Sequence, residues 1–419
     1  MTAPRAVPSP YGLFDVFGIE LEYMIVDADT LDVRPMCDAL FREATGASVS
    51  DVYPDGAEGV VSWSNELALH VVELKAAKPV ACLDSLLVPF QSHVGKINTL
   101  LAPMNCRLLP TGMHPWMNPD KETQLWPHEY NEIYQTYDRI FGCNGHGWGN
   151  LQSTHINLPF ANDDEFGRLH AAIRLVLPLL PALAASSPLA DGQMMSLADY
   201  RLAVYQTNSD RVPMMTGQVI PEPVFTPADY QRDILEKLYD DLAPLDPEGH
   251  LREEFANARG AIARFDRGAI EIRVLDIQEC PEADLAIAAL VVGVLRALVA
   301  ERWGSYTSQQ LLATDALYPV FTDTVQHAEQ AVIREPKLLA AFGLPVTPIT
   351  AGELWMALLE QVMPLDGTWT PLLRRLVPAG SLSTRIRTSL PSTPGRAAQR
   401  AVYTELADCL QSGDLFRVG

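Results

Sequence analysis

Three stretches in the first 160 residues alternate apolar and polar positions with the period of a β-strand: 14–27, 66–74 and 151–158. A helix is expected between the second and third, at 84–101. A loop-rich stretch at 103–149 follows it and carries Trp116, Trp126, Tyr130, Tyr134 and Tyr137. After Asn162 the apolar period becomes helical. Asp164 is placed to cap a helix running towards Leu183, with Pro178 and Pro181 bending its end. A second helix is expected at 227–242, a further strand at 269–277, and a long apolar helix at 282–302 with acidic residues in its first turn. From Ser308 onward the pattern is helical, broken by a Pro/Ser/Arg-rich connection at 378–396. There is no strict β-α-β-α alternation. The pattern predicts an α+β fold on a largely antiparallel sheet, with a helical C-terminal portion.

Composition narrows the chemistry. The chain has 419 residues, 48% hydrophobic and 20% charged, which excludes a disordered or fibrous protein. The net charge of −21 argues against nucleic acid and anionic membrane as partners. An anionic substrate would need metal ions or an arginine cluster to offset that field. Six cysteines without a C-x-x-C pair fit a reducing compartment better than a disulfide scaffold or zinc ribbon. MTAPRAVPSPYG holds no apolar stretch of signal-peptide length, and the apolar run at 285–300 is short of a membrane span and carries Arg296. A cytoplasmic protein is expected; a homo-oligomer is compatible with this composition.

Four segments hold residues suited to chemistry. In FGIELEYMIVD, Phe17, Ile19, Leu21, Tyr23 and Ile25 form one strand face, while Glu20 and Glu22 share the other, ~7 Å apart. Two carboxylates so placed can hold magnesium, although a half-solvated strand would look the same. In NELALHVVELKAAKP, Glu73 shares a face with Leu69 and Val71, an unusual place for a lone charge. Glu66 lies seven residues earlier, so a bulge or bend must intervene if both serve one site. In NGHGWGNLQSTHINLPF, Ser153, His155 and Asn157 follow one another on one strand face, poor core material but suited to a ligand or a metal. In AIEIRVLDIQECP, Glu271, Arg273 and Leu275 oppose Ile270, Ile272 and Val274. Glu271 with Arg273 pairs a metal ligand with a phosphate clamp, or else makes a surface ion pair.

Taken together in chain order, G-x-E-x-E, a second glutamate strand ending in proline, H-x-N and E-x-R-x-x-D resemble the glutamate–cysteine ligase family, particularly its bacterial type 2 branch. ALAASSPLADG (182–192), SLADYR (196–201) and GRAAQR (395–400) are similar to further elements of that branch. The resemblance implies a glutamine synthetase-like architecture, a curved antiparallel sheet forming an open funnel. It places the catalytic domain at 11–302 and a helical portion packed on it at 303–419. It implies an ATP-dependent ligase joining a glutamate-like carboxylate to an amine through an acyl phosphate, with ATP and Mg2+ (Mn2+ as an alternative) as cofactors. Carried over by position, Glu20, His155 and Glu271 would hold one metal and Glu22 and Glu73 another, with Glu66 either joining that second metal or binding substrate. Arg273, with Glu271, would be catalytic; Arg273, Asn157 and Ser153 would contact ATP, and Arg201 a substrate carboxylate. Two departures lie near the expected amino-acid pocket: Tyr23 follows Glu22 where a third acid is frequent, and Lys75-Ala76-Ala77-Lys78-Pro79 is longer than the family's usual turn. A Mg2+-dependent phosphohydrolase and a non-catalytic nucleotide- or amino-acid-binding relative are the competing readings.

Overall fold

A computed structural model describes residues 10–418; most of the MTAPRAVPSPYG segment lies outside them. The fold is α+β, built on one open eight-stranded sheet. Its strands are β1 (Gly18–Asp27), β2 (Asp51–Val52), β3 (Val61–Asn65), β4 (Val71–Ala76), β5 (Cys106–Leu109), β6 (Ser153–Pro159), β7 (Ala261–Arg264) and β8 (Ala269–Asp276). They run in the order β2-β3-β4-β1-β6-β8-β7, with β5 also on β1, and every one of these pairings is antiparallel.

The period-2 pattern decides which face is buried. Ile19, Leu21, Tyr23 and Ile25 of β1 join Val72 and Leu74 of β4, Ile156 and Leu158 of β6, and Ile270 and Ile272 of β8 in the main core. Helix α1 (Leu87–Leu101), α3 (Asp163–Val176) and α4 (Pro281–Val299) contribute to that core through Phe90, Leu169 and Leu290. Phe321, Trp355 and Leu373 from the C-terminal portion belong to it as well. On the other face, β1 turns apolar after Glu22: Met24 and Val26 pack with Tyr403 and Leu406 of the last helix, α5 (Arg396–Ser412). The polar part of that face, on β4, β1, β6 and β8, is left as the floor of a cleft.

Several local expectations change. The stretch 66–74 is not one strand: β3 ends at Asn65 and β4 begins at Val71, so a turn separates Glu66 from Glu73. The cap of α3 is Asn162, whose side chain accepts from the Glu165 amide; Asp164 sits inside the helix. The stretch at 103–149 contains β5 and helix α2 (Asn131–Phe141). The 378–396 connection holds a short helix, Leu382–Thr388, capped by Ser381. Leu275 does not share the face of Glu271 and Arg273. Ile272 opposes Ile156 but Leu275 opposes Thr154, so Arg273 and Val274 together stand opposite His155. This bulge flips the alternation of β8: Leu275 enters the core and Asp276 turns to the cleft side, opposite Ser153. Among the described residues no helix is long and apolar enough to cross a membrane.

Candidate active site

Antiparallel register assembles the polar face in rows. Glu22 stands opposite Glu73, and Glu73 opposite Ser64. In the next row Glu20 lies between Lys75 and His155. Asn157 lies between Gly18 and Glu271 in the third. Residues far apart in sequence thus become neighbours on three adjacent strands. Gly18 leaves room there, since a Cβ would come within 3.0 Å of the Asn157 Cβ.

His155 is the hub. Its Nδ1 lies 2.8 Å from Glu20 Oε2 and 3.9 Å from Glu271 Oε1. Its Nε2 lies 2.9 Å from Ser153 Oγ and 3.7 Å from Glu22 Oε1. Burial alone would push the imidazole down, but the Glu20 hydrogen bond and the charges of Glu22, Glu20 and Glu271 raise it to about 9. Burial would likewise raise Glu20, yet His155 pulls it to about 2. Asn157 Nδ2 donates to Glu20 Oε1 at 3.0 Å, and Ser153 donates from its amide at 2.6 Å and its hydroxyl at 3.0 Å to Glu22 Oε2.

Crowded acids occupy the rest of the floor. Glu66 is raised to about 8 by burial and by the Glu22 charge. Glu73 is held well above the usual carboxylate range by burial and by Glu20 and Glu66, even though Lys75 lies 3.6 Å away and Ser64 donates to it. Two sets of ligand atoms lie within 4.8 Å of one another: Glu20, Glu73 and His155, and Glu22, Glu66 and Glu73. The second set is all oxygen, which suits a hard divalent cation, and two carboxylates forced above their ordinary range signal a place built for positive charge. The residues present therefore fit Mg2+ or Mn2+. Glu271 sits beside these sets, 3.0 Å from Arg273 Nε and 3.6 Å from Arg264.

A cleft of about 560 Å³ opens above this floor, large enough for a nucleotide and a small substrate. Glu22, Glu66, Glu73, Ser153, His155, Arg201 and Arg273 all line it. Arg273 is ion-paired with Glu271 through Nε, and its side chain borders the cleft. Arg201 is 2% exposed; its Nε donates to Asp276 and its other arm reaches Arg273 O at 3.4 Å. Burial disfavours the Arg201 charge, but Asp276 and Asp199 more than restore it. Lys75, Arg264 and Arg267 also line the cleft and were not foreseen. Lys75, expected in the lengthened turn, lies within β4 and is tied to Asp51 at 3.1 Å, while Tyr23 points into the core. The C-terminal arginines stay away from the cleft: Arg385 pairs with Glu279, Arg387 donates to the Met195 and Leu197 carbonyls, and Arg396 lies over Trp116.

Residues 16–322 match the family described as Glutamate-cysteine ligase family 2. The chain belongs to that family. As a member of glutamate–cysteine ligase family 2 it is an ATP-dependent ligase of the carbon–nitrogen bond-forming class. It is 30% identical over 401 residues to an uncharacterized protein of Archaeoglobus fulgidus, covering 96% of this chain and 100% of the relative. It is 26% identical to a putative glutamate–cysteine ligase 2 of Bradyrhizobium sp., covering 83% of this chain and 75% of the relative. The fold is similar to that of the glutamate–cysteine ligase of Francisella tularensis in complex with AMP, with a TM-score of 0.61 at 13% identity, covering 96% and 90% of the two chains.

Proposed function

We propose that this family member phosphorylates the side-chain carboxylate of glutamate or a close analogue and transfers the resulting acyl group to an amine. The observation that carries the reading is the pair of ligand sets sharing Glu73, in one cleft with the guanidinium of Arg273. In the first step a carboxylate oxygen attacks the γ-phosphorus of ATP, forming a C–O–P link and releasing ADP. In the second an amine nitrogen attacks the acyl carbon, the C–O bond to phosphate breaks, and inorganic phosphate and one proton leave. Both steps depend on positioning and on spreading negative charge, not on a side-chain nucleophile. Arg273, bordering the cleft beside Glu271, is placed to hold phosphate oxygens, and Lys75 and Arg264 add positive charge along the cleft. Glu20, His155, Glu22, Glu73 and Glu66 would hold magnesium, with Glu271 beside them; a bound cation would supply neutralisation of phosphate charge. Asn157 and Ser153 orient Glu20 and Glu22 through the hydrogen bonds above. In this reading 11–302 is the catalytic unit, 303–419 is packed on it, and the setting is cytoplasmic, where six free thiols persist.

The test is hydroxamate formation from glutamate and hydroxylamine with magnesium and ATP, scored against ADP released. One hydroxamate per ADP is expected, and Glu20→Ala should abolish both. ATP hydrolysis without amide product would reject a ligase.

A further inference from the structure

Glu73 is the member common to both ligand sets, so whatever holds it acts on both. It is buried and crowded by the charges of Glu20 and Glu66, a position that calls for a cation. The chain supplies one of its own. Lys75 stands two residues further along β4, on the same face, with Nζ 3.6 Å from Glu73 Oε2. Among the described residues no other basic side chain comes within ion-pair distance of Glu73. Arg273 and His155 act on other members of the sets, Glu66 and Glu20. Lys75 alone reaches the shared carboxylate.

Lys75 also has a second acceptor, Asp51 Oδ1 on β2 at 3.1 Å. Asp51 pairs with Ser64 and Ser64 with Glu73, so inner and outer carboxylates lie in one row across β2, β3 and β4. Asp51 borders the cleft but belongs to neither ligand set. Its side chain is 40% exposed against 8% for Glu73. An ammonium on a flexible stem can therefore give up the inner acid and keep the outer one, without losing its counter-charge. We propose that Lys75 is a resident competitor of the divalent cation, held by Glu73 and Asp51 when the ion is out and by Asp51 alone when it is in. The competition weakens an acid cluster that would otherwise bind its ion more tightly, and Asp51 sets how far. The inference rests on the metal placement of the ligase reading and adds what tunes its affinity.

The experiment titrates Mn2+ alone into the full chain, freed of metal and without nucleotide, reading free ion by electron paramagnetic resonance. Wild type should bind Mn2+ and Glu22→Gln should bind it at least roughly tenfold more weakly. No binding by wild type, or equal binding by Glu22→Gln, would sink the metal placement and this inference with it. With that placement upheld, Lys75→Met should tighten Mn2+ roughly tenfold, while Lys75→Arg, which keeps the charge, stays within about threefold of wild type. Unchanged or weaker binding by Lys75→Met would overturn the inference and leave the metal placement intact. Asp51→Asn leaves Lys75 to Glu73 and should weaken Mn2+ roughly threefold; in a Lys75→Met background the same change should do nothing. An Asp51 effect that persists there would be long-range charge alone and would overturn the role given to the pair. Because Asp51 is exposed, this arm decides the matter even where Lys75→Met disturbs the strand.

Discussion

Arg273 and Asp276 show how one strand serves two ends. Arg273 borders the cleft beside Glu271, whereas Asp276 is wholly buried and spends its oxygens on the Ser186 amide, the Ser187 hydroxyl and Arg201 Nε. Arg273→Lys replaces a planar fork by a point charge, so kcat should fall about 100-fold or more with little change in thermal midpoint, by steady-state ADP release and calorimetry. Asp276→Ala strands a buried guanidinium and should cost about 3–5 kcal/mol in urea denaturation. The double change Asp276→Leu, Arg201→Met should recover most of that stability without recovering activity. Gly112→Ala should act in the same direction, because its Cβ would sit 2.4 Å from Asp276 Cγ. At this scale the sequence was legible where charge interrupts an apolar alternation: Glu20, Glu22, His155, Glu271 and Arg273 were all singled out, and they converge. Asp276 stood in the same motif, but its part depends on Arg201, 75 residues earlier, which no local pattern reports.

The site exists as a set of rows across strands, and its electrostatics belong to those rows. Glu66 leaves its ordinary 4.5 for about 8, so between those values the folded chain holds a proton that the unfolded chain has lost. The folded state thus binds more protons than the unfolded state, and stability must fall as pH rises across that window. Glu73 shifts in the same direction. In metal-free protein the thermal midpoint should therefore decline from about pH 5 to 8 through this cluster, and the stabilisation gained from magnesium should grow with pH, read by paired melts with and without EDTA. An equal magnesium effect at both ends would remove the cation from this site. The strands themselves were readable from their period, but boundaries were not. The turn between β3 and β4 hides within a continuous apolar pattern, and helix α2 was obscured because its aromatic spacing lies among loop residues. The bulge leaves no mark in composition at all.

Over the whole molecule, the C-terminal helices close the core on both faces of the sheet. Trp355 and Leu373 reach the main core, while Tyr403, Leu406 and Leu410 of α5 are fully buried. Removing 396–418 would bare Met24, Val26 and Leu109 on β1 and β5. Such a truncation should lose its cooperative unfolding transition and aggregate, as seen by near-ultraviolet dichroism and size exclusion; a folded, active product would show that α5 is dispensable. The α+β class and the antiparallel sheet were both visible in the mixed periodicity. The path of the C-terminal chain was not, since Arg385 meets Glu279 and Arg107 meets Asp408 only through tertiary packing.

The change of parity in β8 makes chain length, more than residue identity, the fragile property of that segment. One residue inserted or deleted between Glu271 and Asp276 would leave the two halves of the strand demanding incompatible alignments with β6. Either the acid–arginine pair or the buried anchor could then keep its partners, never both, so side chains there can be exchanged one by one far more safely than the spacing between them can be edited.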